Sequence, residues 1–176
     1  TLNIQASYIH VWETEDPYSS IVNNASALLD AFRLEWLTND NLVDIQRDLV
    51  HLLTRRQNSG TGGIAYLDVV CFPQYAAGLS SYLQTGNEYD LSNYSWNLNV
   101  VGHELGHNFG LWHANRNEGE GIRPNSDEGT LIDYGNPYSV MGTGGAEGDF
   151  TISSKVYLKN VGSFGLKGGS QANNAV

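Results

Sequence analysis

The chain has 176 residues, of which 40% are hydrophobic and 16% are charged, and its formal net charge is −10 at pH 7. This length and balance predict one globular domain with its own core and exclude a disordered chain. The negative charge would repel nucleic-acid phosphates and anionic membrane surfaces, so we expect neither as a partner. The sequence has no apolar run of membrane-spanning length and no signal-peptide pattern at its N-terminus.

The first third of the chain predicts a strand followed by two helices. Residues Leu2–Trp12 alternate between apolar and polar positions, which is typical of a half-buried strand. His10 lies on its apolar side, where we expect a histidine at the core edge rather than a metal ligand. A helix is predicted from about Ile21 to Leu37, with a boundary at Asn39-Asp40-Asn41. The next predicted helix carries leucine and isoleucine at helical spacing over 42–53 and turns His51 toward solvent.

Two strands are predicted next. The stretch Ile64–Phe72 is almost entirely apolar, which indicates a central strand buried on both faces. Its end holds Cys71, the single cysteine, which excludes an internal disulfide and is expected to be a buried, inert thiol. The stretch Ala76–Tyr82 is a candidate short strand.

A metal-binding pattern follows on a helix predicted from Ser95 to Phe109. The sequence from His103 to His113 has the form H-E-x-x-H-x-x-G-x-x-H. His103 and His107 are four residues apart, so both rings project from one helix face and can bind one ion. Glu104 lies beside them, close enough to hold a water molecule, and Gly110 can take the left-handed conformation that turns the chain and brings in His113. Three neutral imidazoles leave a zinc ion with its full charge and one open position, as a catalytic zinc site requires.

The C-terminal third contains a turn, a long polar segment and a predicted final helix. Met141, the only methionine, stands in the turn Tyr138–Gly142. The segment Asn115–Pro137 carries five acidic residues; Ca²⁺ is compatible with such carboxylates, but no EF-hand spacing is present, and a solvated loop is the alternative. A last helix is predicted over Phe150–Val161, and Gly168–Val176 is expected to be a flexible tail.

The long zinc motif followed by a methionine turn resembles the metzincin zinc peptidases. The segments His103–His113, Arg47–Thr54 and Gly63–Cys71 resemble the zinc helix, second long helix and following strand of the adamalysin (reprolysin) branch. The stretches Tyr134–Gly142 and Asp149–Lys155 are more similar to gametolysin-type peptidases.

The resemblance implies an α+β fold, with a twisted mixed sheet and long helices and with the zinc helix and methionine turn flanking a cleft. It implies one catalytic domain over residues 1–167, with Met141 as an apolar floor beneath the histidines. Metzincins usually begin with a strand and a long helix before the strand that Leu2–Trp12 resembles. Ala114 stands where adamalysins usually have aspartate, and Thr143 where astacins and serralysins have tyrosine.

The predicted function is hydrolysis of peptide bonds by a secreted, monomeric endopeptidase with one catalytic zinc ion held by His103, His107 and His113. Glu104 is the predicted general base. The resemblance also implies that substrate pairs as an extended strand with an edge strand, which we assign to Ala77, Gly78, Leu79 and Ser80. Two alternatives stay open: a zinc-stabilised module that binds peptides without cutting them, and a zinc hydrolase of a non-peptide bond. The intact Glu104 argues against the first, because pure binding has no chemical need for that carboxylate.

Overall fold

A computed structural model describes residues 4–84, 91–118, 129–143 and 155. Within these ranges the chain forms two helices and five strands. In chain order they are α1 (Ala25–Thr38), β1 (Val50–Leu53), β2 (Gly63–Ala65), β3 (Ala77–Ser80), α2 (Leu91–Asn108), β4 (Arg116–Glu118) and β5 (Thr130–Ile132). This combination of helices with a mixed sheet is the α+β class that the sequence predicts. The predicted final helix lies outside the described residues except for Lys155, and so does the predicted tail.

The first helix begins and ends where asparagines satisfy its free backbone groups. The Asn24 side chain accepts a hydrogen bond from the Ala27 N–H at 3.0 Å, and the Asn39 N–H donates to Glu35 O. One face of α1 is buried and carries Leu28, Leu29, Phe32 and Trp36. The predicted helix is therefore confirmed, but it starts four residues later than expected because Asn24 is its cap.

The main sheet has the order β1-β3-β2, with β1 parallel and β2 antiparallel to β3. Alternate side chains of β3 face opposite sides of the sheet. Ala77 and Leu79 join the hydrophobic core under α1, whereas Gly78 faces His51 of β1 and Asn108 of α2. The two helices thus cover opposite faces, and all four residues of β3 are buried. In a second sheet, β4 pairs antiparallel with β5.

The predicted helix over 42–53 is wrong. Residues 50–53 form β1 instead, and so the adamalysin-like segment Arg47–Thr54 is not a helix. The apolar positions of this stretch fit a helical period and also a period of two. Pairing with β3 decides between them, because it buries Val50 and Leu52 on the core side of the sheet.

The predicted strand Ile64–Phe72 is confirmed only at Ile64 and Ala65, which belong to β2. Its expected central position is wrong, because β2 lies at one edge of the sheet within the described residues and is only half-buried. Asp68 takes a left-handed conformation with φ of 57°, and the chain turns toward the surface after it. Cys71 is consequently exposed and free, so the expectation of a buried thiol is wrong.

The N-terminal stretch is not a strand over its described residues 4–12. It lines a cavity of about 630 Å³ together with β1 and does not pair with that strand. Its aromatic rings make edge-to-face contacts instead: His10 contacts Trp12 at a centroid distance of 4.8 Å, and Trp12 contacts Tyr18, beyond this stretch, at 5.8 Å. His10 is half-buried, in keeping with a place at the core edge.

His51 lies on the α2 side of the sheet, so its predicted exposure to solvent is wrong. Its Nε2 is 2.8 Å from the Ser80 hydroxyl, and its Nδ1 is buried without a hydrogen-bond partner among the described residues. Burial disfavours the imidazolium and lowers the pKa of His51 to about 4, from an ordinary value of 6.5.

This burial predicts an acid-dependent loss of stability. Below pH 6.5 the unfolded chain binds a proton at His51 that the folded chain excludes until about pH 4. Between pH 7 and 4.5 the unfolding free energy of the wild type should therefore fall by about 2–3 kcal/mol more than that of His51→Gln. Chemical denaturation across this pH range measures the unfolding free energies of both proteins. The effect of the other histidines cancels in the comparison, because both proteins contain them. Parallel profiles for the two proteins would contradict the assignment.

Candidate metal centre

Three histidines converge at the C-terminal half of α2. His103 and His107 lie one helical turn apart, with ring centroids 4.7 Å from each other. Gly110 adopts a φ of 87°, the left-handed conformation predicted for it, and ends the helix. The chain then changes direction, which places the ring centroid of His113 at 5.4 Å from that of His103 and 4.9 Å from that of His107. One nitrogen of each ring lies within 4.8 Å of the other two.

Hydrogen bonds at the Nδ1 atoms determine which ring nitrogen of each histidine carries the proton. Nδ1 of His103 lies 2.7 Å from Val140 O, and Nδ1 of His107 lies 2.7 Å from Leu111 O. A carbonyl oxygen can only accept, so both Nδ1 atoms carry the proton and both Nε2 atoms offer a lone pair. Nδ1 of His113 is 3.2 Å from the Asp133 carboxylate, which favours the same tautomer. Metal-binding histidines are oriented in this way by carbonyl and carboxylate partners, so the residues fit a zinc ion.

Burial keeps the two helix histidines neutral. It lowers the pKa of His107 to about 4 and also lowers the pKa of His103, and in both cases the neighbouring imidazoles add a smaller effect in the same direction. Because a metal binds the neutral imidazole, these shifts reduce competition from protons near neutral pH.

Glu104 is buried beside the histidines with only 5% of its surface exposed. Its Oε2 has no hydrogen-bond partner among the described residues, and desolvation raises its pKa to about 8. The side chain packs against Gly63 of β2, where a Cβ atom would lie 2.4 Å from Oε1. A buried carboxylate with a free oxygen beside three imidazoles is equipped to exchange a proton with a water molecule bound there.

Met141 lies in the turn that supports the third histidine. It is fully buried and packs with Leu111, Phe109 and Ala114. Its carbonyl accepts a hydrogen bond from the Ala114 N–H at 2.7 Å, which ties the turn to the residue after His113. The next residue must be glycine, because a Cβ on Gly142 would lie 2.2 Å from Asn136 O.

The residues predicted to bind substrate lie elsewhere. Ala77, Gly78, Leu79 and Ser80 form β3, which pairs with β1 on one side and β2 on the other. Their assignment to an edge strand is wrong, because both backbone edges of β3 are already used within the sheet. On the side of the three-stranded sheet nearer Glu104, the edge strand is β2.

Sequence reasoning missed two residues that shape the centre. Asn108, which follows His107, donates hydrogen bonds to Tyr66 O at 3.0 Å and Ala77 O at 2.9 Å and so ties α2 to the sheet. Its polar side chain within an apolar helix face was the available signal. The ring of Tyr134 contacts that of His113 at a centroid distance of 3.6 Å, tilted by 32°. It begins the gametolysin-like stretch Tyr134–Gly142, but no local pattern in the sequence places its ring beside His113.

The predicted helix that carries the first two histidines is confirmed, since α2 covers Leu91–Asn108. Along this helix Leu105 is half-buried, whereas Leu98 is 54% exposed. No helix within the described ranges combines the length and apolar character that a bilayer crossing needs.

Comparisons with known proteins agree with this geometry. The sequence model of Metallo-peptidase family M12 matches residues 1–151. The chain is 31% identical over 113 residues to the snake venom metalloproteinase atroxlysin-1 of Bothrops atrox, covering 64% of this chain and 52% of that protein. It is 29% identical over 105 residues to the human disintegrin and metalloproteinase domain-containing protein 9, covering 60% of this chain and 12% of that protein. The matched regions are thus about half or less of each relative.

Proposed function

Since this chain belongs to Metallo-peptidase family M12, we propose that it is a zinc-dependent endopeptidase that hydrolyses peptide bonds of extracellular proteins. The observation that carries the proposal is the buried Glu104 carboxylate beside three histidines whose tautomers are set for metal binding. A module that only holds zinc has no use for a buried, unpartnered acid, whose desolvation disfavours folding. Secretion is in keeping with the venom origin of one relative.

His103, His107 and His113 would hold a zinc ion, and their Nδ1 hydrogen bonds hold the rings in place. A zinc ion there would supply the Lewis acidity that polarises the scissile carbonyl and makes a water molecule more acidic. Glu104 accepts the proton of the attacking water at a carboxylate oxygen and then delivers it to the departing amine nitrogen. A cation held by the histidines would favour the carboxylate form that the first of these steps requires.

Substrate is proposed to lie along β2 rather than β3. Within the described residues β2 pairs with a neighbour on one side only, so the peptide groups of Gly63–Ala65 can pair with an extended substrate. Gly63 is packed against Glu104, which places a bound backbone next to the proposed base. The glycine lets the strand come this close, because any side chain there would fill the space of the carboxylate.

Glu104→Gln tests the reaction directly. The amide has the size of the acid but cannot accept the proton, so we expect one zinc ion per chain and a kcat lowered by a factor of roughly 10³ or more. Cleavage of a fluorogenic gelatin, with and without chelator, measures the effect alongside metal analysis. Near-normal turnover by the variant would remove Glu104 from the mechanism. A folded, zinc-loaded wild type that binds peptides without cutting them would favour the binding-module alternative.

Gly63→Ala tests the position of Glu104 without changing it chemically. The new Cβ would lie 2.4 Å from Oε1, so the carboxylate must move, and we expect kcat to fall by roughly 10–100-fold with zinc content unchanged. Gly62→Ala is the matched control, because its Cβ would meet the Trp96 ring at an ordinary 3.7 Å and should leave activity near the wild-type value. Equal activity of both variants would show that the contact between Gly63 and Glu104 has no role.

A further inference from the structure

Two polar atoms are buried without a protein partner between the main sheet and α2. One is Nδ1 of His51 in β1, and the other is Oδ1 of Asn108, the residue that follows the proposed ligand His107. Neither atom makes a hydrogen bond within the described ranges, although the rest of each side chain is engaged. Nε2 of His51 lies 2.8 Å from the Ser80 hydroxyl, and the Asn108 amide nitrogen donates to two backbone carbonyls.

Both atoms border the same small space above Gly78. In the register of the sheet, Gly78 lies between His51 of β1 and Ala65 of β2. A Cβ atom on Gly78 would lie 3.0 Å from Nδ1 of His51 and 3.1 Å from Oδ1 of Asn108. The two atoms are therefore about equally far from one point, and the glycine puts no side chain there. His51 also lines the cavity of about 630 Å³ beside the N-terminal stretch, so water can reach this residue from that side.

A water molecule has the hydrogen-bonding groups that this pair needs. The amide oxygen of Asn108 can only accept, so a water must donate to it. The same water can either accept from Nδ1 of His51 or donate to it, and it therefore suits both neutral tautomers. Buried waters typically make roughly two to four hydrogen bonds to polar groups that would otherwise be unsatisfied, and two such groups meet here. Without a partner, both groups would disfavour folding.

The place of Asn108 gives this contact a link to the metal centre. Its side chain is fully buried and ties the end of α2 to the sheet. The neighbouring backbone is held as well, since the Asp68 N–H donates to His107 O and the Val69 N–H donates to Asn108 O, both at 2.9 Å. Groups that hold a metal ligand in place contribute to metal affinity. A contact at Oδ1 would be one more bond that holds the residue next to His107.

We propose that a buried water molecule binds above Gly78 between His51 and Asn108, and that His51 is through this water a positioning residue for the metal-binding end of α2. The water takes part in no proton transfer and in no bond-breaking step. The positioning role rests on the proposed function, because it acts on a metal ligand. The water site itself does not depend on that function.

Two substitutions of His51 separate its contact with the water from its contact with Ser80. The side-chain amide of asparagine comes close to the place of imidazole Nδ1, whereas that of glutamine reaches toward the place of Nε2. His51→Asn therefore keeps the contact with the water and loses that with Ser80, and His51→Gln does the reverse, so each variant is the matched control of the other. Three quantities are measured: electron density above Gly78 in high-resolution crystals, the dissociation constant for zinc from chelator competition, and the free energy of unfolding.

In the wild type we expect density for one water within hydrogen-bond distance of both Nδ1 of His51 and Oδ1 of Asn108. His51→Asn should keep this water, and its dissociation constant for zinc should stay within about twofold of the wild type. His51→Gln should lose the water and bind zinc roughly 3–10-fold more weakly, which is less than the loss of a direct partner of a ligand would cause.

A high-resolution wild-type structure with no water at this place would overturn the water site, and so would a direct hydrogen bond between the two side chains. Equal zinc affinity of the two variants would overturn the positioning role, even if both were less stable than the wild type. If neither variant folds, the wild-type density still decides the water site. A wild type that binds no zinc would reject the proposed function and with it the positioning role, but not the water site.

Discussion

The metal centre depends on two hydrogen bonds from imidazole Nδ1 atoms to backbone carbonyls. Val140 O and Leu111 O can only accept, so they keep Nδ1 of His103 and His107 protonated and direct both lone pairs toward a shared site. One carbonyl comes from the methionine turn and the other from the reversal at Gly110. Both turns must therefore form before the two helix histidines are oriented to bind a metal. The burial of Met141 and the close approach of Gly142 to Asn136 serve this requirement.

The sheet contributes to the site by placing its edge strand β2 next to the Glu104 carboxylate. Asn108 fastens the end of α2 to Tyr66 and Ala77, and the approach of β2 at Gly63 leaves room for Glu104. The Asn108 hydrogen bonds and the small size of Gly63 together place Glu104, the proposed base, between the histidines and the edge of β2 proposed to bind substrate. The C-terminal end of α2 thus serves both packing and chemistry: His107 is a proposed metal ligand, and Asn108, the next residue, fastens the helix to the sheet.

The local parts of the site could be predicted from sequence, whereas its long-range parts could not. Spacing along one helix indicates the cluster of His103 and His107, and the need for a sharp reversal identifies Gly110. The segment 49–53 satisfies the helical and the strand period alike, and only pairing with β3 shows it to be a strand. The order β1-β3-β2 is likewise a property of the assembled sheet, and no local pattern shows that β2 rather than β3 lies at its edge. Tyr134 reaches His113 across 21 residues of sequence, and no local pattern reports that contact.

The central claim is that three neutral imidazoles hold one zinc ion and leave a position for water. X-ray absorption spectroscopy of the zinc-loaded chain tests it most directly. We expect one ion per chain with three imidazole nitrogens and one further oxygen, at distances of about 2.0–2.1 Å. In His113→Ala the imidazole contribution should fall from three rings to two, and zinc should bind more weakly. A spectrum with four protein ligands, or one that the loss of His113 leaves unchanged, would contradict the account.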